Sequence, residues 1–400
     1  MTATPEATDA LTAEMNAARA AVAALPRLKL AHVPTPLEEE PRLLPRLLPL
    51  LAPGPGSGEA PARLVQLFVK RDDLSGLGLS GNKVRKLELL LAEAVEQGAD
   101  TVITCGGVQS NHCRATALAA ARLGLRSVLL LRAADPSAPQ PLVGNLLLDR
   151  LAGATVRLIS PADYARRAEL LAEVAAELLA SGRRGYVIPE GGSNALGSLG
   201  YVRCIDELCE QVPEPERPLT VVYAAGSGGT GAGLLYGVAL RGLPWRVVGI
   251  NVCDDRAYFV RRISEILYDI ATYFRPDAGA QRAVSQARRA IDIRDGYVGR
   301  GYALSRPEEL RLLTEAARAT GLLFDPVYTG KALLGLCGEL LRAPHELDER
   351  VVFVHTGGVF GLLAAGPELA PVIEGADRDS DRDTDTARAG TGTGTGPGHA

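Results

Sequence analysis

Lys83 stands in Ser80-Gly81-Asn82-Lys83-Val84-Arg85-Lys86-Leu87, just ahead of apolar residues at helical spacing. Asn82 is expected to cap that helix, which puts Lys83 in its first turn. The partial positive charge of a helix start disfavours an ammonium and favours the free amine that a Schiff-base lysine needs. A solvated lysine at a helix start is the plainer reading. Composition sharpens the choice, because of 43 basic residues only Lys29, Lys70, Lys83, Lys86 and Lys331 are lysine. Where bare positive charge suffices this chain uses arginine, so a retained lysine points to a compact ammonium or a free amine.

Other clusters offer places for a ligand. In Cys105-Gly106-Gly107-Val108-Gln109-Ser110-Asn111-His112 two glycines let backbone amides converge at a helix start, a receptacle for a carboxylate, with the Ser110 hydroxyl and Asn111 amide beside it. The same residues can also do no more than cap a helix. Gly226-Ser227-Gly228-Gly229-Thr230-Gly231-Ala232-Gly233 has five glycines in eight positions and exposes amides for a phosphate. Glycines at 226, 228 and 231, with Asp254 and Asp255 closing a later strand, also keep a nicotinamide-dependent dehydrogenase open. Asp325-Pro326-Val327-Tyr328-Thr329-Gly330-Lys331-Ala332 contains Gly-Lys but is no P-loop: Asp325 replaces the glycine and Ala332 lacks a magnesium-binding hydroxyl. Tyr328 there is a proton carrier or a packing residue. In His355-Thr356-Gly357-Gly358, Thr356 can bond a ring nitrogen or cap the next helix.

Strands and helices alternate around these loops. Strands are expected at Gln66–Lys70, Thr101–Thr104, Ser127–Leu131, Ala154–Leu158, Leu219–Ala225, Arg246–Val252 and Val351–Val354. Helices are expected at Lys83–Gln97, Asn111–Leu123, Leu142–Leu151, Tyr164–Leu179, Gly231–Leu240, Pro307–Thr320 and Gly330–Leu341. Such alternation argues for parallel sheets covered by helices on both faces, with ligands at the carboxyl ends of strands. Residues 1–26 read as an Ala-rich amphipathic helix. Leu43–Pro61, with its Leu-Pro repeat and Pro-Gly run, reads as an exposed loop, and the Gly-Thr tail from about Gly375 as disordered.

Composition excludes several classes. The net charge of −4 over 400 residues argues against a nucleic-acid partner, and no run of 18 apolar residues occurs to span a membrane. The acidic N-terminus lacks the basic and apolar regions of a secretory signal. Six cysteines (105, 113, 204, 209, 253, 337) form no Cys-x-x-Cys pair, so neither a disulfide framework nor a zinc or other metal site is expected. A cytoplasmic, reduced protein is the expectation.

Six motifs in order carry a resemblance: Lys70-Arg71-Asp72-Asp73, Gly81-Asn82-Lys83, Arg85-Lys86-Leu87-Glu88, Gly106–His112, Asp325–Lys331 and His355–Gly358. Together, over roughly Leu28 to Leu369, they resemble the D-cysteine desulfhydrase / 1-aminocyclopropane-1-carboxylate deaminase family. That resemblance implies an α/β fold of the tryptophan-synthase β type (pyridoxal-phosphate fold type II), two domains each built on a mostly parallel twisted sheet with helices on both faces. It implies a large domain of 28–80 plus 196–374, a small domain of 81–195, an N-terminal arm of 1–27 and a tail from 375. The implied cofactor is pyridoxal 5'-phosphate, and the implied assembly a homodimer.

Position by position, the family implies that Lys83 carries the cofactor as an imine and then shuttles the Cα proton. Asn82 and Asn111 are placed near the ring oxygen, and Gln109, Ser110, Asn111 and His112 at the substrate carboxylate. Gly226, Ser227, Gly228, Gly229 and Thr230 are placed at the cofactor phosphate, with Tyr328 and Tyr302 as active-site tyrosines. The deaminase branch has Glu and Leu where this chain has Thr329 and Thr356. A threonine beside the pyridine nitrogen suits an unprotonated ring, which favours β-elimination over ring opening. Ser80, Val84, Cys105 and Cys113 depart from the usual pattern. The expected reaction is elimination on a small cysteine-like amino acid, D-cysteine foremost. Ring-opening deamination, a lyase for another β-substituted amino acid such as cysteate, and a silent cofactor-binding protein remain open.

Overall fold

The computed structural model describes residues 5–52 and 65–375, with side chains from residue 12 onward. Helix α1 (Pro5–Ala23) leads to strand β1 (Leu37–Glu39), helix α2 (Leu43–Leu51), strand β2 (Gln66–Lys70) and helix α3 (Asn82–Glu96). Next come β3 (Thr101–Gly107), α4 (Asn111–Arg122), β4 (Arg126–Arg132), α5 (Gly144–Leu151), β5 (Thr155–Ile159), α6 (Pro161–Ala165), α7 (Arg167–Ala180) and β6 (Gly185–Val187). The chain continues through α8 (Ala195–Ser198), α9 (Val202–Gln211), β7 (Leu219–Ala225), α10 (Gly229–Arg241), β8 (Trp245–Asn251), α11 (Arg256–Tyr273), α12 (Ala278–Arg289) and β9 (Asp292–Arg294). Helices α13 (Pro307–Thr320) and α14 (Thr329–Arg342), strand β10 (Arg350–Val354) and helix α15 (Val359–Ala364) follow.

Two sheets organise these elements. One has the order β1-β2-β10-β7-β8-β9, parallel except for β1, and the other has the order β5-β4-β3-β6 and is wholly parallel. Strands β7 and β10 are buried along their whole length, as their unbroken apolar runs require when helices cover both faces. In the smaller sheet the strand order reverses beside β3, and in the larger the chain turns back after β9 to place β10 between β2 and β7. Crevices open at such reversals, because the connecting helices leave in opposite directions. The loops after β3, β7 and β10 therefore meet.

The Leu-Pro repeat departs from expectation. Leu43–Leu51 is helical and buries Leu43, Leu44 and Leu47. Pro45 sits in the first turn, where its missing N–H costs nothing, and an apolar stripe against α13 outweighs the loop-like composition. Residues 53–61 of that expected loop, and the tail from 376, lie outside the described residues. Strands β1, β6 and β9 and helices α9, α11 and α12 had no expectation. The three strands are only three residues each, too short for a period to show.

A buried charge cluster ties α3 into place. The Arg85 guanidinium donates to Asp72 (2.7 and 3.0 Å) and to Glu207 (2.8 Å twice), Lys70 pairs with Glu207 at 2.8 Å, and Tyr201 donates to Asp72 at 2.5 Å. Glu88, on the same helix, accepts the backbone N–H groups of Leu30 and Ala31 at 3.0 and 2.9 Å. Lys83 thus rises from a helix that cannot slide.

Candidate active site

Lys83 lies in the first turn of α3, as expected, but Asn82 does not cap the helix and is its first residue. The cap position is Gly81, at φ +90°, where a Cβ would lie 2.6 Å from the Thr356 carbonyl oxygen. Only glycine lets the two loops approach so closely. Asn82 is freed for other bonds: its backbone N–H donates to the Thr356 carbonyl at 3.2 Å and its side-chain amide to the Thr230 hydroxyl at 3.1 Å. Its oxygen accepts from Lys83 Nζ at 3.1 Å. Burial pushes the Lys83 ammonium down to about 8, with Asp325 and Glu190 opposing the shift and Arg114 adding to it.

Lys83 opens into a cavity of about 420 Å³, and most of the expected residues line it: Asn82, Ser110, Asn111, His112, Gly226, Ser227, Gly228, Thr230, Tyr302, Tyr328 and Thr356. Three stand off the wall. Gln109 turns outward, accepting from the Asn145 backbone N–H (2.9 Å) and donating to the Val143 carbonyl (3.1 Å). Thr329 is fully buried and donates its hydroxyl to Asp325 at 2.7 Å. Gly229 begins α10 behind the loop, its N–H donating to the Ser193 hydroxyl at 3.3 Å.

The remaining geometry sorts into a helix-start corner, a glycine cradle and a pair of phenols. At the first, Ser110 is the N-cap of α4, accepting from the Cys113 N–H at 3.2 Å, so the capping reading holds while the residue also lines the cavity. His112 Nε2 lies 2.9 Å from the Thr104 hydroxyl, whose proton goes to the Ile188 carbonyl at 2.8 Å. That arrangement puts the imidazole proton on Nε2 and leaves Nδ1 a buried acceptor with no partner among the described residues. Burial, Lys83 and Lys86 all push His112 well down, so the ring is neutral near pH 7.

At the cradle, Gly228 has φ +86°, and Gly226, Ser227, Gly228 and Thr230 line the cavity at the start of α10. Behind them Lys86 is fully buried, donating to the Gly191 carbonyl and the Ser193 hydroxyl at 3.1 Å each, with no acid partner among the described residues. Tyr302 and Tyr328 share a hydrogen bond at 2.8 Å; burial raises Tyr302 to about 12 and Tyr328 further, so both stay protonated.

Sequence reasoning missed Lys86, Ser193, Glu190, Gly191, Tyr164, Arg132 and Arg167. A second glycine pair a few residues past a short strand, Gly191-Gly192, was the available signal, resembling the Gly106-Gly107 pair that ends β3. Lys331 is engaged as well: its ammonium donates to the carbonyls of Val298, Gly301 and Leu304 (2.7, 2.6 and 3.3 Å), pinning the loop that carries Tyr302.

The family model for pyridoxal-phosphate dependent enzymes matches residues 28–357. The chain belongs to that family. The cofactor is therefore pyridoxal phosphate, and the Gly-x-Gly-x-x-Gly spacing does not mark a nicotinamide enzyme. Among similar chains, the mitochondrial bifunctional D-cysteine desulfhydrase/1-aminocyclopropane-1-carboxylate deaminase of Arabidopsis thaliana is 41% identical, over 86% of this chain and 81% of the relative. A D-cysteine desulfhydrase of Klebsiella pneumoniae is 38% identical, over 86% and 97%. A solved ACC deaminase homologue is 34% identical, covers 88% of this chain and 98% of its own, and superposes with a TM-score of 0.73.

The cavity fits the cofactor. A side-chain amine of lowered basicity, a glycine cradle backed by a buried cation, and the Asn82 and Asn111 amides on the cavity wall suit an aldehyde, a phosphate and a phenolic ring oxygen. No helix among the described residues is long and apolar enough to cross a membrane, and no cluster there could hold a metal ion.

Proposed function

We propose that this enzyme catalyses β-elimination on a cysteine-like amino acid, D-cysteine foremost, releasing pyruvate, ammonia and hydrogen sulfide. The observation that carries the reading is the Lys83 amine in one cavity with the glycine-bounded Ser110–His112 corner and the protonated Tyr302–Tyr328 pair. The names of the relatives support it. In this reading Gly226, Ser227, Gly228 and Thr230 hold the cofactor phosphate, with Lys86 and Gly229 behind them, and Asn82, Asn111 and Thr356 face its ring. Gln109 and Thr329 act only by holding their loops. Bound cofactor supplies the electron sink that makes the Cα proton acidic.

Ser110 and the neighbouring amides seat the substrate carboxylate, which presents the Cα–H bond to Lys83. Lys83 Nζ takes that proton. Sulfur departs with the Cβ–S bonding pair and receives a proton from Tyr302, whose own proton is replaced through Tyr328. Water then hydrolyses the released three-carbon enamine to pyruvate and ammonia. Residues 81–195 act as the small domain and the flanking segments as the large one, in a homodimer whose mass sedimentation can measure. A reducing compartment, the cytoplasm, suits the six free thiols.

Purified holoenzyme should release pyruvate and sulfide from D-cysteine, and borohydride should fix a pyridoxyl group on the peptide that carries Lys83. Lys83→Ala should lose both. Production of 2-oxobutanoate from 1-aminocyclopropane-1-carboxylate, with none of pyruvate from D-cysteine, would replace elimination by ring opening.

A further inference from the structure

Arg132 closes strand β4, and its register partner on β3 is Gly107, the residue that opens the carboxylate corner. The guanidinium lines the cavity between two aromatic faces, 4.9 Å from the Tyr164 ring centroid and 5.0 Å from that of Tyr302. Tyr302 packs beside Gly107, where a Cβ would make ordinary contact with the phenol oxygen at 3.6 Å. Among the described residues the Arg132 side chain makes no hydrogen bond or ion pair, its contacts being the two rings. Ring faces satisfy its charge but not its N–H donors, which stay available at the guanidinium edge.

The neighbouring charges are already engaged. Glu190 accepts from the Tyr164 hydroxyl at 2.5 Å and from Arg167 at 2.9 Å, and Asp254 accepts a long contact from the Cys253 thiol at 3.5 Å. Lys83 is bonded to Asn82. Arg132 is thus the lining cation whose donors remain unspent, and it stands on the side of the cavity where Tyr302 meets the departing group.

We infer that Arg132 is a specificity-determining residue that binds an anionic sulfur group at Cβ of the substrate, thiolate or sulfonate. The inference rests on the elimination reading and deepens it by naming what the β-substituent carries. A planar guanidinium with free edge donors matches such an anion, whereas a neutral halide gains little from it.

Holoenzyme, Arg132→Met and Arg132→Lys can be compared with D-cysteine, D-cysteate and β-chloro-D-alanine as substrates. Calorimetry with 2-hydroxy-3-sulfopropanoate, which has no amine to react, reads sulfonate binding without turnover. Arg132→Met should raise KM for the anionic substrates and weaken the sulfonate Kd by on the order of ten-fold, the scale of one lost charge contact. KM for β-chloro-D-alanine should stay within about two-fold, and Arg132→Lys should recover part of the loss. A change confined to D-cysteine assigns thiolate, and sulfite release from D-cysteate with a matching change assigns sulfonate. Equal losses for all three substrates, or no loss for any, would overturn the assignment. If the wild-type enzyme releases pyruvate from none of them, the elimination reading falls, and the sulfonate Kd alone decides whether Arg132 binds the anion.

Discussion

Burial holds the Lys83 amine near neutrality, with a value of about 8, so its free form grows tenfold per unit as pH rises toward that value. Capture of pyridoxal phosphate by apoenzyme should accelerate accordingly below about pH 8 and level off above it, as stopped-flow absorbance can record. The scarcity of lysine made this residue legible, and more widely than expected. Of the five lysines, Lys70, Lys83, Lys86 and Lys331 all have specific partners, while Lys29 is exposed. What the sequence did not reveal at this scale was direction. Gln109 and Thr329 sit inside functional motifs, yet their side chains serve Asn145 and Asp325, because a motif fixes spacing and not the rotamer.

Elements that never touch the cavity set its geometry, and each can be tested separately. Replacing Lys331 by Met leaves three carbonyls without their donor and frees the loop of Tyr302. Turnover should fall several-fold, with a stability loss of about 1–3 kcal/mol in chemical denaturation. Arg85→Met strands Asp72 and Glu207 in the interior and should cost about 3–5 kcal/mol. On α5, Asp149 has both carboxylate oxygens without partners among the described residues, and burial raises it to about 7. The folded carboxyl keeps its proton up to about pH 7 while the unfolded one loses it near 4, so stability falls across that window. Asp149→Asn should therefore raise the melting temperature at pH 8, by up to ~4 kcal/mol in stability, and have little effect at pH 4. Periodicity revealed many helices and the long strands; it missed α9, α11 and α12, failed at α2, where prolines masked an apolar stripe, and failed at three-residue strands.

The cavity draws on both sheets: Ser110 follows β3 of the smaller, while Gly226 and Thr356 follow β7 and β10 of the larger. A ligand gripped by both stabilises the whole chain by mass action. Holoenzyme should melt above apoenzyme, and Gly228→Ala, strained at φ +86°, should reduce the difference in a calorimetric scan. Alternating strands and helices made parallel sheets readable, and the family resemblance their division into two, whereas no local pattern could show which loops would meet. Gly81 and Thr356 illustrate why, being far apart in the chain yet packed too closely for a Cβ between them. Strand β10 also slots between β2 and β7, so the larger sheet has a gap at its middle until residues 350–354 arrive. During synthesis, then, the lysine helix leaves the ribosome long before the loop that completes its pocket. The nascent chain must wait for its last third before it can hold a vitamin at all.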